Sequence, residues 1–189
     1  MPSRHLVRTA DQADFKVPKA FKALSKGYRR WSIVNGQTGS VHQEFGICEL
    51  DPGGAIGAHI HSFEESIYLL EGQLICETGD GAYTLEPGDY GVIQVSAPHA
   101  LRNTGTARVR WAEMFAPQPR LEGDGDVYPV DALPQAAPIP VDARDPRTRS
   151  FGHISPANMN PGKQTQDMLA VSASMRTALL NETNKLLWF

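Results

Sequence analysis

The chain of 189 residues is short of cysteine, of long apolar runs and of charge of either sign, and each shortage excludes a class of protein. Two cysteines, Cys48 and Cys76, are too few for a disulfide-stapled scaffold and too far apart for a C-x-x-C metal or redox pair. Both fall in apolar stretches that read as strands, where a thiol packs as a small hydrophobe. No stretch approaches the roughly 18 consecutive apolar residues of a membrane-spanning helix, and the opening MPSRHLVRTADQADF lacks the apolar core of a secretory signal. A cytoplasmic protein with no membrane partner is expected. The formal charge is −3, and no Lys/Arg cluster is longer than the pair Arg29-Arg30. The basic face that displaces phosphate counterions is therefore missing, and nucleic acid is not an expected partner. With 41% hydrophobic and 21% charged residues, the composition is that of a globular protein with one good core.

Three textures follow one another along the chain. Residues 1–27 read as an N-terminal arm with one short helix over Pro18–Leu24, started by proline and followed by Gly27. Residues 28–117 are short apolar or alternating runs separated by Gly, Asp, Asn and Pro, which predicts an all-β barrel. The runs are Trp31–Val34, Gln43–Leu50, Ile56–His61, Glu65–Leu70, Gln73–Glu77, Tyr83–Leu85, Tyr90–Val95, His99–Arg102 and Arg108–Phe115. Asn35-Gly36, Gly79-Asp80-Gly81 and Asn103-Thr104-Gly105 supply turn residues that tolerate positive φ. Residues 118–189 bring Pro129, Pro134, Pro138, Pro140 and Pro146 in quick succession and read as an irregular Pro-rich linker and C-terminal extension. The final Leu186-Leu187-Trp188-Phe189 needs a cover: the barrel, a second subunit or a continuation of the chain.

Histidines mark the candidate site. His59 and His61 are two apart, so on a strand both imidazoles point to one face, about 7 Å apart at Cα, while Ile60 points to the other. Glu65 follows four residues later on the adjoining strand, and His99 arrives after the Pro87-Gly88-Asp89 turn. Three neutral imidazoles and one carboxylate leave about two positions of an octahedral ion open. The expected cofactor is a divalent transition metal: Mn, Fe, Ni or Zn. His5, His42 and His153 stand alone and read as ordinary core or surface residues.

Gly53, His59, His61, Glu65 and Gly72 stand at the spacing G-x5-H-x-H-x3-E-x6-G, which resembles the first motif of the cupin superfamily. Only Glu65, not Glu64, satisfies both the gap from His61 and the gap to Gly72. Gly88, His99 and Asn103 match the second motif, while Gln94 and Ser96 stand where that family commonly has Pro and Gly. The resemblance covers about Trp31 to Phe115 and implies a double-stranded β-helix, or jelly roll. It implies a metal-dependent enzyme acting on a small oxygenated organic substrate, with dioxygenase-type oxidation first. A decarboxylase, isomerase or hydrolase, or a non-catalytic small-molecule-binding module, is the alternative. Regulators in the family usually carry a helix-turn-helix, for which this chain has no two-helix basic segment. Residues 142–180 weakly resemble the connection to a second barrel, so the chain could be the first half of a two-barrel protein. Pairing through sheet edges, common in the family, and the apolar last residues both suggest a homodimer.

With Glu65 and His99 inward, alternation turns Ile67, Leu69, Leu101 and Asn103 inward as well, lining a mostly apolar substrate pocket or simply filling the barrel core. Arg29 and Arg30 read as a solvated surface pair, with a substrate carboxylate as the less favoured partner. Trp31 and Trp111 read as core or dimer contacts. No catalytic group beyond the four metal ligands is singled out.

Overall fold

The computed structural model describes residues 6–120, 125–142, 145–148 and 151–153. Leu186 to Phe189, and the residues beyond 153 that resemble a connection to a second barrel, lie outside them. The chain builds eleven strands: β1 (Ser25–Val34), β2 (Glu44–His61), β3 (Glu64–Glu71), β4 (Leu74–Thr78), β5 (Gly81–Leu85), β6 (Asp89–Ile93), β7 (His99–Arg102), β8 (Val109–Ala116), β9 (Val127–Pro129), β10 (Ile139–Pro140) and β11 (Phe151–His153). They form one curled sheet in the order β10-β5-β4-β7-β2-β8-β3-β6-β11, with β1 and β9 also paired to β2. All ladders are antiparallel except β10 on β5. The result is the all-β architecture expected from the residue pattern, in the jelly-roll form that the resemblance implies.

Alternation decides what fills it. On β8, Val109, Trp111, Glu113 and Phe115 are buried, while Arg110, Ala112, Met114 and Ala116 are less so. Leu50, Leu69, Leu74, Leu85, Leu101, Val109 and Trp111 are essentially inaccessible and pack in one cluster. A fully buried leucine contributes roughly 1.5–3 kcal/mol, so this cluster supplies the main driving force. Cys48 and Cys76 are free and buried within it. The outer face of β1, β2 and β8 is a charge network in which Glu49 takes Arg29 at 3.0 Å and Arg110 at 2.6 Å.

Several boundaries differ from expectation. The helix predicted over Pro18–Leu24 is a single 3-10 turn, Lys19–Phe21, and β1 begins at Ser25 rather than Trp31. Burial of Phe21 and the pairing of Ser25 and Lys26 with β2 override the weak helical signal. The runs 43–50 and 56–61 are one strand of 18 residues, because Asp51 to Ala55 stay extended through the positive φ of Gly53. Beyond residue 117, where a linker is expected, β9, β10 and β11 lie on the barrel. Among the described residues, no helix is long and apolar enough to cross a membrane.

One irregularity positions the site. Along the β2–β7 ladder, Ile56 faces Leu101, but His59 faces His99, so β2 holds one residue more than its partner. Before this bulge the inward residues are Cys48, Leu50 and Ile56; after it they are His59 and His61. A bulge inserts an extra residue and changes which side chains point in.

Candidate metal centre

Past the bulge, β2 carries His59 and His61 into one end of the barrel, β3 brings Glu65, and β7 brings His99. All four are at most 3% exposed, and their donor atoms lie within 4.8 Å of one another. Glu64, the competing acid, is exposed.

The hydrogen bonds behind the imidazoles fix their tautomers. His59 Nδ1 lies 2.8 Å from the Gly57 carbonyl, His61 Nδ1 2.6 Å from Phe63 O, and His99 Nδ1 2.9 Å from Ala97 O. A carbonyl can only accept, so each Nδ1 carries the hydrogen, and in the neutral ring each Nε2 turns its lone pair toward Glu65; without a metal, a proton on His61 Nε2 is donated to Glu65 Oε2 instead. Nε2 of His59 and of His99 are buried without a hydrogen-bond partner. Glu65 Oε2 stands 3.0 Å from His61 Nε2 and 3.4 Å from His99 Nε2. Three neutral imidazoles and a carboxylate converging on one point repel one another unless a proton or a metal ion lies between them. The donor set thus fits a divalent transition ion, at bond lengths of about 2.0–2.2 Å.

Electrostatics favours the metal-ready form at His59 and Glu65, and a proton at His99 when no metal is bound. Burial above all, then His99, lowers the pKa of His59 to about 4, so its ring is held neutral, the form a metal needs. Burial alone would raise Glu65, but His61 and His99 outweigh it and hold the carboxyl well below the usual range. Burial opposes charge on His99, yet Glu65 raises its pKa.

A pH test isolates His59 in the metal-free protein. Its folded pKa lies below the unfolded value, so its contribution to stability is intact above about pH 6.5. The contribution is lost as pH falls toward 4, where only the unfolded chain takes the proton. Wild type minus His59→Gln should lose about 3 kcal/mol of unfolding free energy between pH 7.5 and 4, measured by urea denaturation in chelator. A flat difference would exclude a buried neutral His59.

The shell around the ligands is aromatic. Phe63 stacks on His61 with centroids 4.2 Å apart, Phe21 meets His59 edge-on at 5.3 Å, and Phe115 lies 4.5 Å from Phe63. Ile67, Leu69 and Leu101 point inward as expected and belong to the packed core. Asn103 has a different task. Its amide donates to Leu50 O and Ala107 O and accepts from Gly105 N, holding the turn before β8 and committing both its N–H groups. Ser96, standing where the second motif has glycine, adopts φ +63 and donates its N–H to His61 O. The turn is kept at the expense of a conformation that side chains disfavour.

Two inward residues escaped sequence reasoning. Arg30, expected on the surface, is 5% exposed, because β1 alternation turns it inward with Tyr28. Its Nε donates to Glu113 Oε2 at 2.8 Å and its Nη1 pairs with Glu44. Trp111 donates to the other Glu113 oxygen at 2.9 Å. Burial first, then the charge of Glu65, pushes Glu113 up to about 7, against the pull of Arg30. The available signal was parity: Glu113 interrupts an otherwise apolar inward row on β8.

Residues 46–115 match the family model of the cupin domain. No curated protein matches. Solved structures share the fold. The polyketide cyclase RemF of Streptomyces resistomycificus aligns over 59% of this chain and 80% of its own, at 18% identity and a TM-score of 0.54. A predicted oxalate decarboxylase of Thermotoga maritima aligns over 59% and 98%, at 18% identity and a TM-score of 0.52. A cupin-2 domain protein of Rhodospirillum rubrum aligns over 71% and 83%, at 18% identity and a TM-score of 0.51.

Proposed function

We propose that this chain, whose barrel belongs to the cupin superfamily, is a metal-dependent enzyme that oxidises a small oxygenated organic substrate with dioxygen. His59, His61, Glu65 and His99 are the ligands, and Mn, Fe, Ni or Zn the candidate ions, of which the redox-inert Zn would serve only the non-oxidative alternatives. The observation that carries the reading is the set of three Nδ1–H to carbonyl bonds, which aim three lone pairs at one point beside Glu65. An ion held there would supply Lewis acidity and, if redox-active, electron transfer to dioxygen.

The chain's own residues do the rest. Gly57, Phe63 and Ala97 carbonyls keep the imidazoles in one tautomer and orientation. Phe21 and Phe63 shield His59 and His61 from water, which strengthens every charge interaction inside. Glu113, held by Arg30 and Trp111, anchors the inner side of β8 behind the site.

The fold hosts many reactions, and two of the similar structures are named as a cyclase and a predicted decarboxylase, so the test must separate oxygen-dependent turnover from the rest. Protein loaded separately with each ion and offered carboxylated and phenolic metabolites in an oxygen electrode should consume oxygen with at least one pair. Chelator should abolish the signal. Turnover of substrate without oxygen uptake would replace the dioxygenase reading by a non-redox one. A homodimer in the cytoplasm completes the proposal; sedimentation of a clean monomer at micromolar concentration would overturn the dimer.

A further inference from the structure

All four candidate ligands are sealed in. Each is at most 3% exposed, and none lines the cavity of about 180 Å³ that opens between the N-terminal arm and the barrel end. A substrate reaches them only if a covering side chain moves. Two aromatic rings cover them. Phe21 lies edge-on to His59 with centroids 5.3 Å apart, Phe63 stacks on His61 at 4.2 Å, and both residues also line the cavity.

Phe63 is fixed in place. It belongs to the two-residue link between β2 and β3, its carbonyl accepts the His61 Nδ1–H at 2.6 Å, and its ring is held between His61 and Phe115, the latter 4.5 Å away. Ser62 beside it is tied to Asp126 through its N–H at 2.9 Å and its hydroxyl at 2.8 Å. Moving Phe63 would strip a ligand of the bond that orients it.

Phe21 is held differently. It sits on a strap of the arm that is pinned at both ends: Lys16 and Arg30 exchange backbone hydrogen bonds at 3.0 and 2.8 Å, and the Leu24 carbonyl accepts the Gly57 N–H at 2.8 Å. Between the pins, backbone bonds close within the turn itself, from Phe21 N–H to Pro18 O at 3.0 Å, Lys22 N–H to Lys19 O at 3.3 Å and Leu24 N–H to Phe21 O at 3.1 Å. The turn can therefore swing as a unit with these bonds intact, drawing Phe21 from its edge contacts with His59 and Tyr28. Apolar contact is non-directional, so breaking it strands no donor. Gly57 ties the second pin to the site: its N–H holds the strap, its carbonyl accepts from His59 Nδ1, and a Cβ there would come within 3.2 Å of Leu24 O. We propose that Phe21 is the gate residue of the metal centre, and that the turn carrying it, Lys19–Phe21, swings outward to let organic molecules reach the ligands. This rests on the function proposed above for its role in turnover, while the gate itself is a property of the metal-free chain too.

Diethyl pyrocarbonate, which acylates an unprotonated imidazole nitrogen, reads the gate in full-length, chelator-treated protein at pH 7, with peptide mass spectrometry following His59. Phe21→Ala should be modified there at least tenfold faster than wild type, and Phe21→Leu, the variant more certain to fold, at an intermediate rate. Phe151→Ala removes a buried ring that packs on Tyr83 and should change the rate less than twofold. The wild-type rate should stay nearly flat in urea below the unfolding transition, because a local swing exposes little new surface. Thermal unfolding checks that each variant is folded. Equal rates in wild type and both Phe21 variants, an equal acceleration in Phe151→Ala, or a wild-type rate that climbs with urea in parallel with global unfolding overturns the proposal. A chain that takes up no cobalt(II), used as a spectroscopic probe of the site, yet shows the gated His59 would refute the metal-dependent function and leave the gate standing. Cobalt uptake with an ungated His59 would refute the gate alone.

Discussion

Protein purified without chelators is expected to carry about one divalent transition ion per chain, and His59→Ala or Glu65→Ala should weaken that binding by at least ~100-fold. Each variant removes a donor from a group whose atoms lie within 4.8 Å of one another. His59→Ala leaves His99 Nε2 still buried and unpartnered, but with one neutral donor fewer. Glu65→Ala takes away the only anion of the set, and with it the charge that balances a divalent ion. Elemental analysis after dialysis in metal buffers reads the stoichiometry. Unfolding curves give a second readout: at a thousandfold excess over Kd, a ligand that binds only the folded state adds about 4 kcal/mol, an increment both variants should lack. Wild type without stoichiometric metal, or variants that retain it equally, would remove the foundation of the proposed function.

Arg30→Met is expected to destabilise the protein by about 3–5 kcal/mol, because it strands a buried carboxylate. Glu113 is 2% exposed and would keep only the Trp111 N–H at 2.9 Å of its two side-chain donors from Arg30 and Trp111. Its pKa, already about 7, would rise further. A carboxyl whose folded pKa lies above its unfolded value loses stability as pH rises through that range. The deficit of Arg30→Met in urea denaturation should therefore be larger at pH 8 than at pH 5.5. Adding Glu113→Leu should recover most of it, since a buried pair replaced by apolar groups is often near neutral. A deficit independent of pH would show that Arg30 acts by packing over Phe115 rather than by charge.

The clustering of these four residues was legible because its information is local. His59 and His61 share a face by alternation, Glu65 and Gly72 follow at fixed spacing, and His99 opens a strand whose bounds, His99–Arg102, match the expected run. Arg30, Glu113 and Glu44 were not legible, since they meet only when β1, β8 and β2 are side by side, and no short-range pattern records that Arg30 and Glu113 are 83 residues apart in the chain. Asn103 was placed inward correctly by parity, yet its role came from backbone groups of Leu50 and Ala107, invisible to a pattern of side chains. The strands after residue 117 are two or three residues long, too short for any periodicity to register.

The extra residue in β2 opposite β7 carries a consequence at the level of the gene. Deleting one codon between those for Ile56 and His59 would restore an even ladder with β7 and leave every metal ligand in the coding sequence. Ile56 and His59 would then stand two apart, so plain alternation would keep His59, and with it His61, on the inner face. Losing the codon for Ile60 instead would make the two histidines neighbours on opposite faces, and a comparison that scores ligand identities alone would still count the site as intact.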